Sequence, residues 1–302
     1  MAIYWVCPKP RAPSGGVWFI HHLAQMLNLA GMESYVVQTE PFHVWWDANP
    51  VDPKIIRGVQ DPLESDGIVV VPDILWPPAT KYPGKLMVFL QNYVWLRDSH
   101  TPLENVLVCS RFLANWLERE RDLKPVGKLT PYLSDGVWEN EGGHSDRRVL
   151  VIARRNDFHS ELAVRLAEDG LEVVYVREAV SQVELARLLA RCGFYVHLNS
   201  PEGFPMACLE AMRAGTTVVG TTGGGGNEFM FHRETAMVVQ DPGVVGDGDR
   251  RRFIDEIIDS VKTLRSSPSL TSRIRSQALE WSLRYTPGNT LRELEDVFIG
   301  SL

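Results

Sequence analysis

Short apolar segments alternate with amphipathic ones along most of the chain, and this alternation limits the folds that the chain can adopt. The first unit of the pattern is a predicted strand over residues 3–7, a helix over 17–30 that Gly31 ends, and a second strand from Tyr35. Strands and helices that alternate at this spacing are typical of parallel sheets whose crossover helices cover both faces. We therefore predict an α/β fold with doubly wound parallel sheets.

The alternation is interrupted once. Residues 130–148 lack periodicity and contain Gly136, Gly142 and Gly143, which favour a linker. Before it, further strands are predicted at 67–72, 86–90 and 106–108, with a helix at 111–121. After it, strands are predicted at 148–153, 172–177, 195–199 and 216–220, with helices at 161–169, 183–191, 205–214, 252–264 and 290–300.

Two domains suit a chain of 302 residues better than one. We predict a short N-terminal Rossmann-like domain over 1–143 and a C-terminal one over 144–302, with the last helix able to pack back on the first domain.

Composition excludes several classes of protein. Hydrophobic residues make up 44% and charged residues 23%, as in soluble globular proteins. No apolar run approaches the roughly 18 residues of a membrane span, and the apolar start is followed by Pro8, so we expect a cytoplasmic protein. The net charge is −7, and both predicted domains are acidic, so a general nucleic-acid partner is not expected.

The cysteines do not predict a metal or disulfide site. Cys7, Cys109, Cys192 and Cys208 form no CxxC pair and have no accompanying histidine cluster. We interpret them as reduced, buried thiols.

Four unusual loops follow predicted strands, at the edge where open α/β sheets bind ligands. They cover residues 13–16, 153–156, 200–204 and 221–226. In the first loop, Gly15 and Gly16 precede a helix N-terminus, which favours an anion such as a phosphate. A plain tight turn remains the alternative there.

The helix over 205–214 is apolar on almost every side, which predicts burial and makes Glu210 costly without partners. The two hydroxyls of a ribose would supply donors to it. Glu202 lies just before this helix, beside the amides of Gly203 and Phe204. The alternative is that Glu210 pairs with an arginine and that Glu202 only favours the helix dipole.

Arg154 and Arg155 follow a predicted strand and could neutralise a diphosphate, although we expect one of them to be a surface charge. Asp247 and Asp249 resemble an Asp-x-Asp metal clamp, but they lie in a polar, glycine-rich stretch before a helix. We interpret them as a solvated loop and predict no metal site.

Taken together, these residues resemble the retaining glycosyltransferase family 4, also called glycosyl transferases group 1, which has two Rossmann-like domains facing across a cleft (the GT-B type). The strongest agreement is Ser200, Glu202-Gly203-Phe204, Glu210-Ala211-Met212, Ala214-Gly215, Val218-Val219, and Gly224-Gly225 followed by Glu228. Weaker agreement is found at Gly15-Gly16, Cys109-Ser110-Arg111-Phe112, residues 132–137 and Arg154.

The resemblance implies a role for each matching residue. Glu210 would bind the ribose of a sugar nucleotide. Glu202 and the backbone of Gly203 to Pro205 would hold the donor sugar, with Glu202 and Arg154 as the catalytic residues. Arg154 would also bind the diphosphate and Arg177 would lie near the base, while Gly15, Gly16, Arg155, Gly224 and Gly225 complete the predicted donor site.

The chain departs from the family pattern at three places. The family's lysine after the arginine is replaced by the candidates Arg155 and His159, and Phe204-Pro205 replaces the commoner Phe-Gly. Leu90-Gln91-Asn92-Tyr93 stands where many members carry a histidine, so no catalytic histidine is carried over.

Eight of the nine tryptophans precede residue 140, in the domain that normally binds the acceptor in this fold. Aromatic faces can stack on a sugar ring or another flat acceptor, although packing within a small domain is the alternative. The candidate acceptor residues are Trp45, Trp46, Trp76, Asn92 and Trp95.

The resemblance implies a retaining, metal-independent hexosyl- or deoxyhexosyltransferase that needs no cofactor. Its donor is expected to be a nucleoside-diphosphate sugar, with UDP as the first choice and TDP or GDP as the others. The acceptor stays open among a glycan, a lipid-linked sugar and a small molecule. Two alternatives remain, a sugar-nucleotide epimerase of the same fold and a non-catalytic sugar-nucleotide-binding module.

Overall fold

The computed structural model describes residues 1–11, 13–42, 46–76, 81–97, 99, 101–139, 142–153, 158–241 and 247–299. They form two compact units. The first contains residues 1–132 and 286–302, and the second contains residues 133–285. The division thus falls at 132/133, where the sequence predicts 143/144, and the C-terminal residues belong to the first unit.

The first unit is built on a seven-stranded, all-parallel sheet with strand order β3-β2-β1-β4-β5-β6-β7. Its strands are β1 (Ile3–Cys7), β2 (Ser34–Gln38), β3 (Ile56–Gly58), β4 (Ile68–Pro72), β5 (Lys85–Leu90), β6 (Val106–Val108) and β7 (Gly127–Lys128).

The second unit is built on a five-stranded parallel sheet with strand order β12-β11-β10-β8-β9. Its strands are β8 (Ser145–Ile152), β9 (Glu172–Val176), β10 (Cys192–His197), β11 (Thr217–Gly220) and β12 (Met237–Val238). The predicted doubly wound parallel architecture is therefore confirmed.

Helices connect the strands. They are α1 (Gly15–Leu29), α2 (Arg111–Arg121), α3 (Phe158–Glu168), α4 (Gln182–Arg191), α5 (Met206–Arg213), α6 (Asp247–Ser266), α7 (Pro268–Ser282) and α8 (Pro287–Phe298). Hydroxyl side chains fix several N-termini by accepting a backbone amide of the first turn, as Ser14 does from Val17 and Ser110 from Leu113.

Two local predictions are wrong. The sequence predicts two helices after residue 250, whereas the structure has three, because α7 follows α6 after a single residue. Asp247 and Asp249 do not form a loop before a helix but belong to the first turn of α6.

Both sheets bury nearly continuous apolar strands, because helices cover both of their faces. In the first unit, Val6, Val37, Val69 and Val71 share one core cluster. In the second, strand residues pack on α3, α6 and α7. The fully buried members of that core include Val149, Val151, Phe194, Val219, Leu162, Ile254, Ile257 and Ile274.

All four cysteines are buried and free, which confirms the interpretation as buried thiols. Burial raises the pKa of Cys192 to about 11. Within the described ranges, no helix has the length and apolarity needed to cross a membrane.

Two histidines of α1 lie in the core of the first unit. Burial lowers the pKa of His21 to about 4 and that of His22 to about 3. The His22 ring stacks on Trp18 with centroids 4.2 Å apart, and its Nδ1 lies 3.4 Å from the hydroxyl of Tyr132. Both rings are therefore neutral at physiological pH and act as packing groups.

We predict that this pair makes the protein sensitive to acid. The unfolded chain takes up protons below pH about 6.5 while the folded state does not, so stability falls as pH decreases from about 6.5 towards 3. Urea unfolding at pH 7.5 and pH 5 should show that His22→Phe loses less stability on acidification than the wild type. An equal loss in the two proteins would contradict this assignment.

Candidate functional site

The strands of the second unit all end at one edge of the sheet, because they are parallel. Ala153 follows β8, Arg177 follows β9, Leu198 follows β10 and Thr221 follows β11. The loops predicted to bind a ligand thus share the edge at which open α/β sheets form sites.

A short parallel bridge between Glu202 and Gly224 joins the two loops that follow β10 and β11. The Glu202 amide donates to the carbonyl oxygen of Gly223 at 2.8 Å, and the Gly225 amide donates to the carbonyl oxygen of Glu202 at 3.0 Å. Both backbone groups of Glu202 are therefore held, which fixes the point at which its side chain leaves the loop.

The glycine run is required by this close approach. A Cβ atom on Gly225 would lie 2.0 Å from the carbonyl oxygen of Gly203, and one on Gly223 would lie 2.8 Å from Cβ of Glu202. Gly223 and Gly224 also adopt φ values of 61° and 97°, which only glycine reaches at low cost. These glycines are thus required for the two loops to approach each other this closely.

Helix α5 begins directly after the first of these loops. Phe204 is buried and packs on Phe229, with ring centroids 5.4 Å apart, so this contact attaches the loop to buried residues of the unit. Pro205 precedes the helix without a side-chain cap. The contacts that hold the Glu202 loop therefore also fix the position at which α5 begins.

Glu210 lies on α5 and is partly exposed. This corrects the prediction of a helix buried on almost every side, because α5 buries Cys208, Leu209, Ala211 and Met212 but not Glu210. The charges of Glu202 and Glu210 reinforce the effect of burial in raising the pKa of the Cys208 thiol. The carboxylates of Glu202 and Glu210 therefore both lie close to the buried Cys208 side chain.

Arg177 is exposed after β9, where its guanidinium lies 5.0 Å from the ring centroid of Tyr175. It is thus available at the same edge as Glu202. The predicted residues Arg154 and Arg155 lie outside the described residues.

In the first unit, the glycine loop after β1 is tied to the loop after β5. The side-chain amide of Gln91 donates to the carbonyl oxygen of Gly16 at 3.1 Å. A Cβ atom on Gly16 would lie 2.8 Å from Oε1 of Gln91. Gly15 opens α1, and a side chain at position 16 would require the end of the Gln91 side chain to shift.

Asp73 is a buried carboxylate that sequence reasoning missed. It lies directly after β4, and its Oδ1 accepts the Gln91 amide at 2.8 Å. Burial raises its pKa to about 7, while hydrogen bonds from the backbone amides of Gln91, Asn92 and Asp73 itself oppose that rise. An aspartate directly after an apolar strand was the available signal, but its burial depends on the packing of distant segments.

The candidate acceptor residues differ in exposure. Trp95 is 59% exposed, Trp76 is partly buried and donates to the carbonyl oxygen of Pro102, and Trp46 is buried with its ring 4.9 Å from that of His21. Asn92 caps a short 3-10 turn by accepting the Val94 amide. Trp45 lies outside the described residues. The ring of Trp95 is therefore exposed to solvent, whereas that of Trp46 is buried.

Among the residues that the structure describes, no three or more His, Cys, Asp or Glu side chains are grouped so that they could hold a metal ion.

We predict that Gly225→Ala destabilises the second unit, because the new methyl group would overlap the Gly203 carbonyl. Overpacking of this kind costs about 1–3 kcal/mol, enough to lower the melting temperature by several degrees. Gly288→Ala is the control, since nothing lies within 4 Å of a Cβ atom there. A Gly225→Ala protein that melts with the wild type would show that the loops are not in close contact.

Comparison with known proteins agrees with this geometry. Residues 138–262 match the family model described as Glycosyl transferases group 1. This segment includes both bridged loops and α5. None of the curated proteins matches the sequence.

Solved structures share the fold over nearly the whole chain. Sucrose-phosphate synthase from Thermosynechococcus elongatus is 12% identical with a TM-score of 0.73, covering 99% of this chain and 98% of that one. The pneumococcal O-GlcNAc transferase GtfA, in complex with UDP and GlcNAc, is 10% identical with a TM-score of 0.70 and coverages of 98% and 99%. Anabaena HepE, in complex with UDP and glucose, is 13% identical with a TM-score of 0.69 and covers 100% of both chains.

The fold is therefore the GT-B fold of two Rossmann-like domains. The family match lies in the second unit and contains the bridged loops that the sequence predicted as a binding site. We conclude that the chain is a glycosyltransferase of the GT-B fold and that residues 138–262, within its second unit, match the glycosyl transferases group 1 family.

Proposed function

We propose that this enzyme transfers a hexosyl or deoxyhexosyl residue from a nucleoside-diphosphate sugar to an acceptor hydroxyl, with retention of the anomeric configuration and without a metal ion. The observation that carries the proposal is the bridge between Glu202 and Gly224 in the family-matched unit. It brings the Glu202 carboxylate, the N-terminal end of α5 and the glycine turn at 223–226 next to one another.

Each part of this arrangement suits one part of the donor. Glu210 is partly exposed one turn into α5, where its carboxylate can accept hydrogen bonds from two ribose hydroxyls. The N-terminal end of α5 favours a diphosphate through the helix dipole. The amides of the glycine turn donate within the loops, so we assign this turn the role of letting the backbone approach closely. We assign Glu202 to the transferred sugar and Arg177 to the base.

UDP is the first choice of nucleotide. The solved structures of HepE and of the O-GlcNAc transferase GtfA both contain UDP. We extend this nucleotide to the present chain because the loops that would hold it lie within the family-matched segment. TDP and GDP are the alternatives that the binding test includes.

The proposed chemistry is the front-face displacement that the resemblance to retaining glycosyltransferases implies. The acceptor oxygen forms a bond to the anomeric carbon on the face from which the diphosphate departs, as the bond from that carbon to the phosphate oxygen breaks. The acceptor proton passes to that phosphate oxygen. The protein stabilises the charge developing on the diphosphate, with Arg154 proposed for this role and Glu202 beside the sugar.

Independence from metal ions is supported by where the Asp-x-Asp pair lies. Asp247 and Asp249 belong to the start of α6, not to the carboxyl end of a strand among the other site residues. To clamp the donor diphosphate through a metal ion, this pair would have to lie at that edge.

The acceptor is assigned to the first unit. Trp95 presents an open aromatic face three residues after Asn92, in the loop that follows β5. A glycan, a lipid-linked sugar or a small molecule with a flat apolar face would suit such a surface.

The test is thermal stabilisation by UDP, TDP, GDP and ADP, measured in EDTA. A nucleotide at 100 times its dissociation constant adds about 2.7 kcal/mol to the stability of the folded state. We expect UDP to stabilise the wild type and Glu168→Ala, a control at the exposed end of α3, whereas Glu210→Ala loses most of the effect.

Other outcomes would select other functions. Stabilisation only after Mg²⁺ is added would contradict metal independence. Conversion of a UDP-sugar to its epimer without any acceptor would indicate the epimerase alternative. Binding of UDP-sugar with no turnover towards any acceptor or water would indicate the binding-module alternative, and an inverted product configuration by NMR would exclude retention.

A further inference from the structure

The family match ends at residue 262, but a later segment of the second unit reaches the bridged loops. Residues 281–285, which close α7 and lead out of the unit, contact three separate parts of the site. We call them the C-terminal brace.

The first contact of the brace is with α5, the helix that carries Glu210. Nε of Arg213, at the end of α5, donates to Oγ of Ser282 at 3.0 Å, and its Nη2 donates to the Ser282 carbonyl oxygen at 2.6 Å. Ser282 is fully buried, and burial lowers the pKa of Arg213. A half-buried guanidinium with two fixed acceptors holds the end of α5 in one position.

The second contact is with the glycine turn. Nε1 of Trp281 donates to the carbonyl oxygen of Glu228 at 3.2 Å, at the end of the short 3-10 turn Gly225–Glu228. The same indole ring packs edge-on against Phe231, with centroids 5.0 Å apart. The brace therefore fixes the downstream end of the loop whose upstream end is bridged to Glu202.

The third contact is an aromatic triad beneath the Glu202 loop. The ring of Tyr285 lies 5.7 Å from those of Phe204 and Phe229, both in edge-to-face orientation, and Phe204 and Phe229 lie 5.4 Å apart. Phe204 comes directly after Glu202-Gly203, and Phe229 directly follows the glycine turn, so a change at Tyr285 would act on the Glu202 loop through Phe204 and on the turn through Phe229.

The brace also lies where the chain passes between its two units. Tyr285 is the last residue of the second unit and Leu133 is its first. The Leu133 amide donates to the carbonyl oxygen of Tyr285 at 3.2 Å. The backbone of Tyr285 is thereby fixed, which leaves its ring a defined direction towards Phe204.

We propose that the C-terminal brace is a positioning element of the donor site and that Tyr285 is its principal residue, setting the loop of Glu202 through Phe204. The inference rests on the proposed function, because it assigns these loops to the sugar nucleotide. Tyr285 itself touches neither nucleotide nor sugar and acts through the loop.

The test compares Tyr285→Ala with Tyr285→Phe and with Ile274→Ala. Tyr285→Phe keeps the aromatic ring in the triad and removes only the hydroxyl group. Ile274 is a fully buried residue of helix α7 itself, so Ile274→Ala weakens the unit without touching the triad. UDP affinity is measured by calorimetry at a temperature where all variants are folded.

We expect Tyr285→Ala to weaken UDP binding by about tenfold, as displaced binding groups do, while Tyr285→Phe and Ile274→Ala bind like the wild type. Ile274→Ala should nevertheless melt earlier than the wild type. Equal UDP affinity of Tyr285→Ala and Ile274→Ala would overturn the proposal and leave Tyr285 with a packing role only.

Hydrogen exchange of the ligand-free protein separates this inference from the proposed function. The amides of Glu202 and Gly225 are both bonded across the bridge. They should exchange faster in Tyr285→Ala and not in Ile274→Ala. A wild type that binds no nucleotide would contradict the proposed function, and unchanged exchange in Tyr285→Ala would contradict the brace whatever the nucleotide result.

Discussion

Two backbone hydrogen bonds on Glu202 hold together the loops after β10 and β11, and the geometry of the site depends on them. They require that glycine occupy positions 223 and 225, since a Cβ atom at either would meet the opposite loop. They also place the start of α5, because only three residues separate Glu202 from that helix. A parallel sheet brings these loops to one edge, but the bridge gives them a fixed spacing there.

The surroundings of the bridge show how the fold stabilises a polar edge. Beneath it, Phe204 and Phe229 form a buried aromatic pair, and such pairs add about 0.5–1.5 kcal/mol beyond the burial of their area. In the first unit, Asp73 has the analogous role by accepting amides of the loop after β5, and its burial raises its pKa to about 7. In both units, buried groups behind the carboxyl edge of the sheet hold the loops in position.

The sequence was sufficient for most of the strands and for the positions of the loops that the bridge joins, and insufficient where packing between distant segments decides. Strands β3, β7 and β12 were missed because they have two or three residues, too few to show a period. Helix α7 was missed because only Leu270, Ile274 and Ala278 mark its buried face among serines and arginines. Gly224 and Gly225 were predicted as site residues from their place after a strand and from the family motif. Burial of Asp73 and the contact of Tyr285 with Phe204 were not, since each joins residues far apart in the chain.

A crystal structure of the protein with UDP would show directly whether the bridged loops form the donor site. We expect the diphosphate against residues 202–205 and 223–226, with the ribose hydroxyls on Glu210 and the base near Arg177. The bridge between Glu202 and Gly224 should be intact in that complex. UDP bound away from these loops, or bound to them with the bridge broken, would contradict the assignment of the donor site to the bridged loops.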